Sequence, residues 1–339
     1  MNTRHHTPLF AALLLSLTTS LFAQGPNKTP LREGTVKATA NIPTDLFEQQ
    51  MRLIEKRRSA WLEKAEKATP ALIRTVKKPG SVITVTNDPS SFQGWKIGST
   101  REVKSVYDRP LKPGDSFILD FGEHMAGYAL LSLRSFDIPV DAPVRLALIF
   151  GEVLAEVTEP FDPYKGGLTR AWLQDETVNI DVVPQTVRLP RRYAFRYLKV
   201  AVVSCSTHGK FGFSDIAAEA VSSADEAKLA AFTPRNTDEA ALDRVARATL
   251  RDCMQTVFED GPKRDRRLWL CDLRLQALAN YATFRNYDLV KRSLYILAGS
   301  ATDKGLVSTC AFEQPTPVRG GNSILDYTAL FAPTVLEYL

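Results

Sequence analysis

"EDGPKRDRRLWLCDLRLQALANY", Glu259 to Tyr281, stands where one periodicity ends and another begins. Four acids, Glu259, Asp260, Asp265 and Asp272, surround Lys263, Arg264, Arg266, Arg267 and Trp269, and the chain then runs straight into an apolar helical pattern. By composition alone this could be a solvated charged turn. Upstream, from about Ser81, the pattern is that of strands: "SVITVTND", "SFILDFGE", "YALLSLRSF", "PVRLALIFGEV", "TVNIDVV", "QTVRLP" and "YAFRYLKVAVV". These runs are short, rich in β-branched residues and separated by Pro, Gly, Asp or Asn, which argues for an antiparallel β-sandwich. Gly122 and Gly127 predict a turn between two of them. No helical pattern interrupts the stretch, so parallel βαβ units are disfavoured.

Downstream the signals are helical. Asn236-Thr237-Asp238-Glu239 has the form of a capping box, and Leu242, Val245, Leu250, Met254 and Val257 follow on one side of the expected helix. A second helix is expected near Arg266. A third, near Asn286, carries Leu289, Val290, Leu294, Ile296 and Leu297. The long stretch Ser300 to Gly321 reads as a loop of the length that is usually functional or disordered, before a last helical pattern from Ser323. The fold class is therefore multidomain, β followed by α.

The 339 residues, 44% hydrophobic and 24% charged, suggest about two domains. The net charge of +5 is spread among acids, and the basic clusters Lys56 to Arg58 and Arg191-Arg192 are short. Without a basic stripe carrying aromatics, a nucleic-acid partner is excluded. Arg4, the apolar run Leu9 to Leu17 and the small Ala23 have the three-part form of a signal peptide over residues 1–23. That run is too short for a membrane span, so the protein is expected to be exported, to a periplasm or the extracellular space. A linker, 24–43, and an N-terminal helix, 44–70, follow; both are expected to pack on the next domain, with Lys56 to Arg58 wet. Cys205, Cys253, Cys271 and Cys310 lack metal-ligand spacing; they read as buried thiols, with one disulfide possible. No metal or cofactor is expected.

Together with "DFGEHMAGY", "LIFGEVLAE" and "RRYAFRYLKV" upstream, the motif "DGPKRDRRLWLCD" resembles the bacterial α-L-rhamnosidases, glycoside hydrolase family 78, in the branch that reads Asp-Gly-x-Lys-Arg-Asp-Arg. The resemblance covers the chain from about Asp115 onward. It implies a β-sandwich over 81–225, followed over 232–339 by the first hairpins of an (α/α)6 six-hairpin barrel, and a rhamnose-containing oligosaccharide or glycan as partner. It also implies inversion, which needs one carboxylic acid and one carboxylate about 6.5–9.5 Å apart.

On this resemblance Asp265 is the candidate general acid and Glu259 the reserve, while Asp260 and Asp272 accept hydrogen bonds from sugar hydroxyls. Arg264 offers a fork of donors, and Trp269 a face for a deoxy-sugar. Structural roles stand beside these: Asp260 as a helix cap, Asp265 paired with a neighbouring Arg, Trp269 in the core, Lys263 and Arg267 solvated or paired with Glu259 or another nearby acid. Two departures are visible. The other branch reads Asp-Glu-Arg where Arg266 follows Asp265 here, and Cys271 replaces a Gly. Glu159 to Trp172 reads as a surface loop, Glu123-His124 as structural, and Glu313 as a further candidate to line the site. The general base is expected past Leu339, where the chain stops inside a helical pattern. The alternatives are a non-catalytic carbohydrate-binding β-sandwich protein and a six-hairpin glycosidase of other sugar specificity.

Overall fold

The computed structural model describes residues 44–321 and 324–339; the expected signal peptide and linker lie outside the described residues. The first part of the chain comprises α1 (Thr44–Lys67), β1 (Ile73–Lys77), β2 (Ser81–Asn87), β3 (Trp95–Arg101), α2 (Lys104–Tyr107), β4 (Ser116–Ser135), β5 (Val144–Gly151), α3 (Leu154–Thr158), β6 (Gln174–Ile180), β7 (Gln185–Arg188), β8 (Tyr193–Ser204) and β9 (Phe211–Ser222). The second comprises α4 (Thr237–Cys253), β10 (Leu268–Trp269), α5 (Leu270–Ala282), α6 (Tyr287–Gly299), β11 (Cys310–Phe312), β12 (Val318–Arg319), α7 (Leu325–Ala329) and α8 (Phe331–Tyr338).

The nine strands β1 to β9 form one antiparallel sheet, ordered β1-β9-β4-β8-β5-β6, with β2, β3 and β7 off that path. The strand β4 is its spine. Its first half pairs with β2 and β8, its second half with β9 and β7. Phe213 of β9 lies in register with Leu133, yet its ring meets Phe117 in the first half of β4 at 6.0 Å. The two halves of the sheet therefore fold over a shared interior. Alternation builds that interior: Val144, Leu146, Leu148 and Phe150 of β5 are buried while Arg145 between them is exposed. Phe150 stacks on Tyr193 at 3.7 Å and meets Phe195 edge-on. Each such side chain contributes about 1.5–3 kcal/mol by leaving water.

The turn expected at Gly122 and Gly127 is instead a bulge inside β4. Between the pairs Asp120–Tyr197 and Met125–Phe195, four residues of β4 stand against one of β8. Gly122 supplies the left-handed φ of 82°, and Asp120 pins the bulge by accepting from Gly122 N at 2.7 Å and from Arg196 Nε and Nη2 at 2.8 Å. Gly127 has a different reason: a Cβ there would meet Glu219 O at 2.4 Å, so the residue is a close approach to β9. The strands β1, β3 and β9 are additional to those expected from the sequence.

In the helical region Asn236 caps α4, accepting from Glu239 N at 2.8 Å, while Glu239 reaches back to Arg235 N. Of the expected apolar side of α4, only Leu250, Met254 and Val257 are buried; Leu242 and Val245 are 72% and 60% exposed. The second helix starts at Leu270, not near Arg266, because Arg266 has a left-handed φ and Leu268–Trp269 pair with β11. Ser300 to Gly321 carries β11 and β12, which fold back on β10. Helix α1 packs on α6, where Gly299 lets Leu62 approach, rather than on the sheet domain that follows it. Arg58, expected in solvent, bonds Asp303 at 2.8 Å. All four cysteines are free. No described helix is long and apolar enough to cross a membrane.

Candidate active site

The acidic motif forms a loop closed at its base by its own backbone. Asp260 N donates to Arg267 O at 3.0 Å, and Arg267 N returns to Asp260 Oδ1 at 3.1 Å. Between these residues Asp265 and Arg266 both take left-handed conformations, with φ 63° and 51°. An Asp tolerates that region better than most residues. An Arg does not, and such residues cost about 1–3 kcal/mol each and persist only where the surrounding structure over-determines them.

The loop brings three carboxyls into one electrostatic neighbourhood. Burial pushes the Asp260 carboxyl up to about 6, with the charges of Asp265 and Asp272 adding to the rise against the N–H groups of Arg267 and Gly261. Asp272, in the first turn of α5, is also raised, first by burial and then by Asp265. A helix N-terminus ordinarily favours a carboxylate, so here burial and the neighbouring charge outweigh that preference. Asp260, Asp265 and Asp272 are thus near enough for each to feel another's charge.

Glu259 is placed differently. It is 7% exposed, and both its oxygens accept from Arg192 Nη2 at 2.6 Å. Burial nevertheless holds its carboxyl above the usual range, against the lowering by Arg192 and Arg266. An acid so enclosed serves structure more readily than proton delivery to an outside ligand. Arg264 is half exposed with only a loose contact, 3.9 Å, to Asp265. Trp269 is partly buried edge-on to Tyr327, ring centroids 5.9 Å apart.

Of the alternatives for Lys263, solvation or pairing with Glu259 or another nearby acid, the structure shows pairing, with acids of the sheet domain rather than Glu259. Its partners are Glu156 and, at 3.3 Å, Glu152, both just after β5. Arg266 Nη2 donates to Gln174 Oε1 of β6 at 3.3 Å, and burial among other guanidiniums lowers it to about 10. Arg267 lies 4.3 Å over the Phe312 ring. Arg266 Nε, Arg267 Nε and Trp269 Nε1 are buried with no hydrogen-bond partner among the described residues, which costs about 1–3 kcal/mol for each donor.

Behind Glu152 stands His124, projected by the β4 bulge. Its Nε2 meets Glu152 Oε1 at 3.0 Å and its Nδ1 meets Asp252 Oδ2 at 2.7 Å. Burial pulls the imidazole down, but bonding to the two acids overcomes this and holds it up at about 9. Glu313 accepts from Thr256 Oγ1 at 2.6 Å and from the buried Arg292 at 2.7 Å, tying the segment after β11 to the end of α4 and to α6. Arg192, Glu152, Glu156 and Asp252 were not singled out from the sequence, although Arg192, Glu152 and Glu156 lie within the sheet stretches that carry the resemblance. The loop from Glu159 to Trp172 is tied to itself and to β6 by Arg170, which binds Asp162 and Asp175.

A cavity of about 650 Å³ lies away from these acids, among Lys64, Lys228, Lys291, Asn286 and Tyr295. Asp260, Asp265 and Asp272 do not line it.

Residues 79–220 match the N-terminal domain of the glycosyl hydrolase family 78 alpha-rhamnosidases. Among solved structures, a rhamnosidase from Klebsiella oxytoca with rhamnose bound is similar with 44% identity and a TM-score of 0.79, over 83% of this chain and 55% of that one. A family 78 rhamnosidase of Bacillus sp. GL1 shares the fold with 22% identity and a TM-score of 0.56, over 71% of this chain and 24% of that one. The chain thus spans little more than half the length of the first and about a quarter of the second. No curated protein matches it.

Proposed function

We infer from the match of residues 79–220 and the 44% identity to a rhamnosidase that the chain belongs to glycoside hydrolase family 78, the α-L-rhamnosidases, and propose that it serves the hydrolysis of terminal α-L-rhamnosyl residues in rhamnose-containing oligosaccharides or glycans, by an inverting acid/base mechanism. In this reading the helical region supplies the first hairpins of an (α/α)6 barrel. The protein is exported, on the strength of the pattern in residues 1–23.

The observation that carries the reading is the convergence of Asp260, Asp265 and Asp272, with one carboxyl of the group held at about 6. A glycosidic acid must keep its proton near neutral pH until the leaving oxygen takes it, and burial with like-charged neighbours is the means. Asp265, in the strained part of the loop, takes the donor's role on the family resemblance. Asp260 and Asp272 accept hydrogen bonds from ring hydroxyls, and Trp269 and Arg264 border the sugar. A second reading has a specific observation behind it: the carboxyl held highest is Asp260, which would make Asp260 the donor and Asp265 the charge that keeps it protonated.

The test is a panel of aryl glycosides with the longest natural form of the protein, the first-formed anomer being followed by proton NMR. Release from the α-L-rhamnoside with inverted configuration is expected. Binding without release would leave a carbohydrate-binding protein, and strong turnover of another glycoside would reassign the sugar.

A further inference from the structure

The acid-bearing loop is held from the sheet domain, through side chains that the hydrolytic reading does not use. Lys263, two residues before Asp265, pairs with Glu156 and Glu152. Glu156 is itself fixed, because its second oxygen accepts from Glu152 N at 2.7 Å. Glu152 is held in turn by His124. Arg266 reaches Gln174, and that amide is 1% exposed and locked to Ala194 of β8 by both its ends, at 2.6 and 2.9 Å. Arg192, at the start of β8, closes on Glu259 at the other end of the loop. Three grips from one sheet thus bracket two successive left-handed residues, the situation in which backbone strain persists.

Resting on the hydrolase reading for its consequence, but not for its geometry, we propose that Lys263 is a positioning residue, and that Glu152 and Glu156 of the sheet domain hold it so that Asp265 stays in its left-handed conformation beside Asp260 and Asp272. The sheet domain is then a working part of the catalytic apparatus. Misplacing a reacting group by about 1 Å costs on the order of 10²-fold in rate, whereas the substrate-contacting groups remain.

The experiment compares the longest natural form of the protein with its Lys263→Met and Lys263→Arg variants, reading kcat and KM on an aryl α-L-rhamnoside and amide hydrogen exchange across residues 260–267. Lys263→Met should lower kcat by about 10²-fold with KM within about twofold, and exchange in this segment should rise. Lys263→Arg should restore much of both. Should Lys263→Met fail to fold, Glu156→Ala with Glu152→Ala removes the same grip from the sheet side and should reproduce the exchange change. Unchanged exchange and unchanged kcat in a folded variant overturn the proposal. An inactive longest natural form would count against the hydrolase reading alone, and the exchange comparison would still decide whether the loop is held by Lys263.

Discussion

In the sheet, Leu119, Leu131, Leu146, Phe150 and Phe195 fill the interior, and two polar groups inside it have positional tasks: Asp120 pins the β4 bulge and Gln174 reaches the acidic loop. In the helical region Asp252, Glu259 and Arg292 are all buried. The sheet is specified by apolar alternation and the acidic loop by paired charges. Alternation tolerates a substitution of similar volume; a buried charge tolerates none that strands its partner. The costly arrangement sits where the carboxyls converge, and the sheet supplies much of what stabilises it.

The comparison breaks first at the chemistry. Asp265→Asn should cost about 10²–10⁴-fold in rhamnoside release while rhamnose binding, measured by calorimetry, persists; wild-type turnover in this variant would leave the loop without a catalytic role. Next comes stability. Arg192→Met strands Glu259 and should lower the unfolding free energy by about 3–5 kcal/mol, as much as Phe150→Ala in the sheet interior, also about 3–5 kcal/mol. Denaturant titration of the two variants side by side would show whether paired charge and apolar packing are of equal weight.

A smaller effect comes from His124, whose imidazole is raised from 6.5 to about 9. A base raised on folding stabilises fully below its unfolded value, and that contribution is lost as pH rises through the folded one. The protein should therefore lose about 2–3 kcal/mol of stability between pH 6.5 and 9, and His124→Gln should flatten that slope. An unchanged slope would remove His124 from the account.

The sheet was legible where strands alternate cleanly. It was not legible in β1 and β3, whose residues are largely exposed, or in β9, whose Ala, Gly and Ser give little apolar signal. The bulge read as a turn because a glycine with φ 82° looks the same from sequence in either setting. The acids were legible as a set, since Asp260, Asp265 and Asp272 lie in one motif. Their support was not. Lys263 and Glu156 are 107 residues apart, and nothing in local periodicity pairs them. The three sheet stretches that carry the resemblance supply His124, Glu152, Glu156 and Arg192, so the clue was present as a likeness before it had a physical meaning.

Most direct is a carbon-13 NMR titration of the aspartate carboxyls in the full chain and in Asp265→Asn. One carboxyl, that of Asp260, should titrate near pH 6 in the parent and move part of the way down when the Asp265 charge is removed, burial still holding it above its ordinary value of 3.8. Three carboxyls titrating independently in the ordinary range, indifferent to that substitution, would contradict the account.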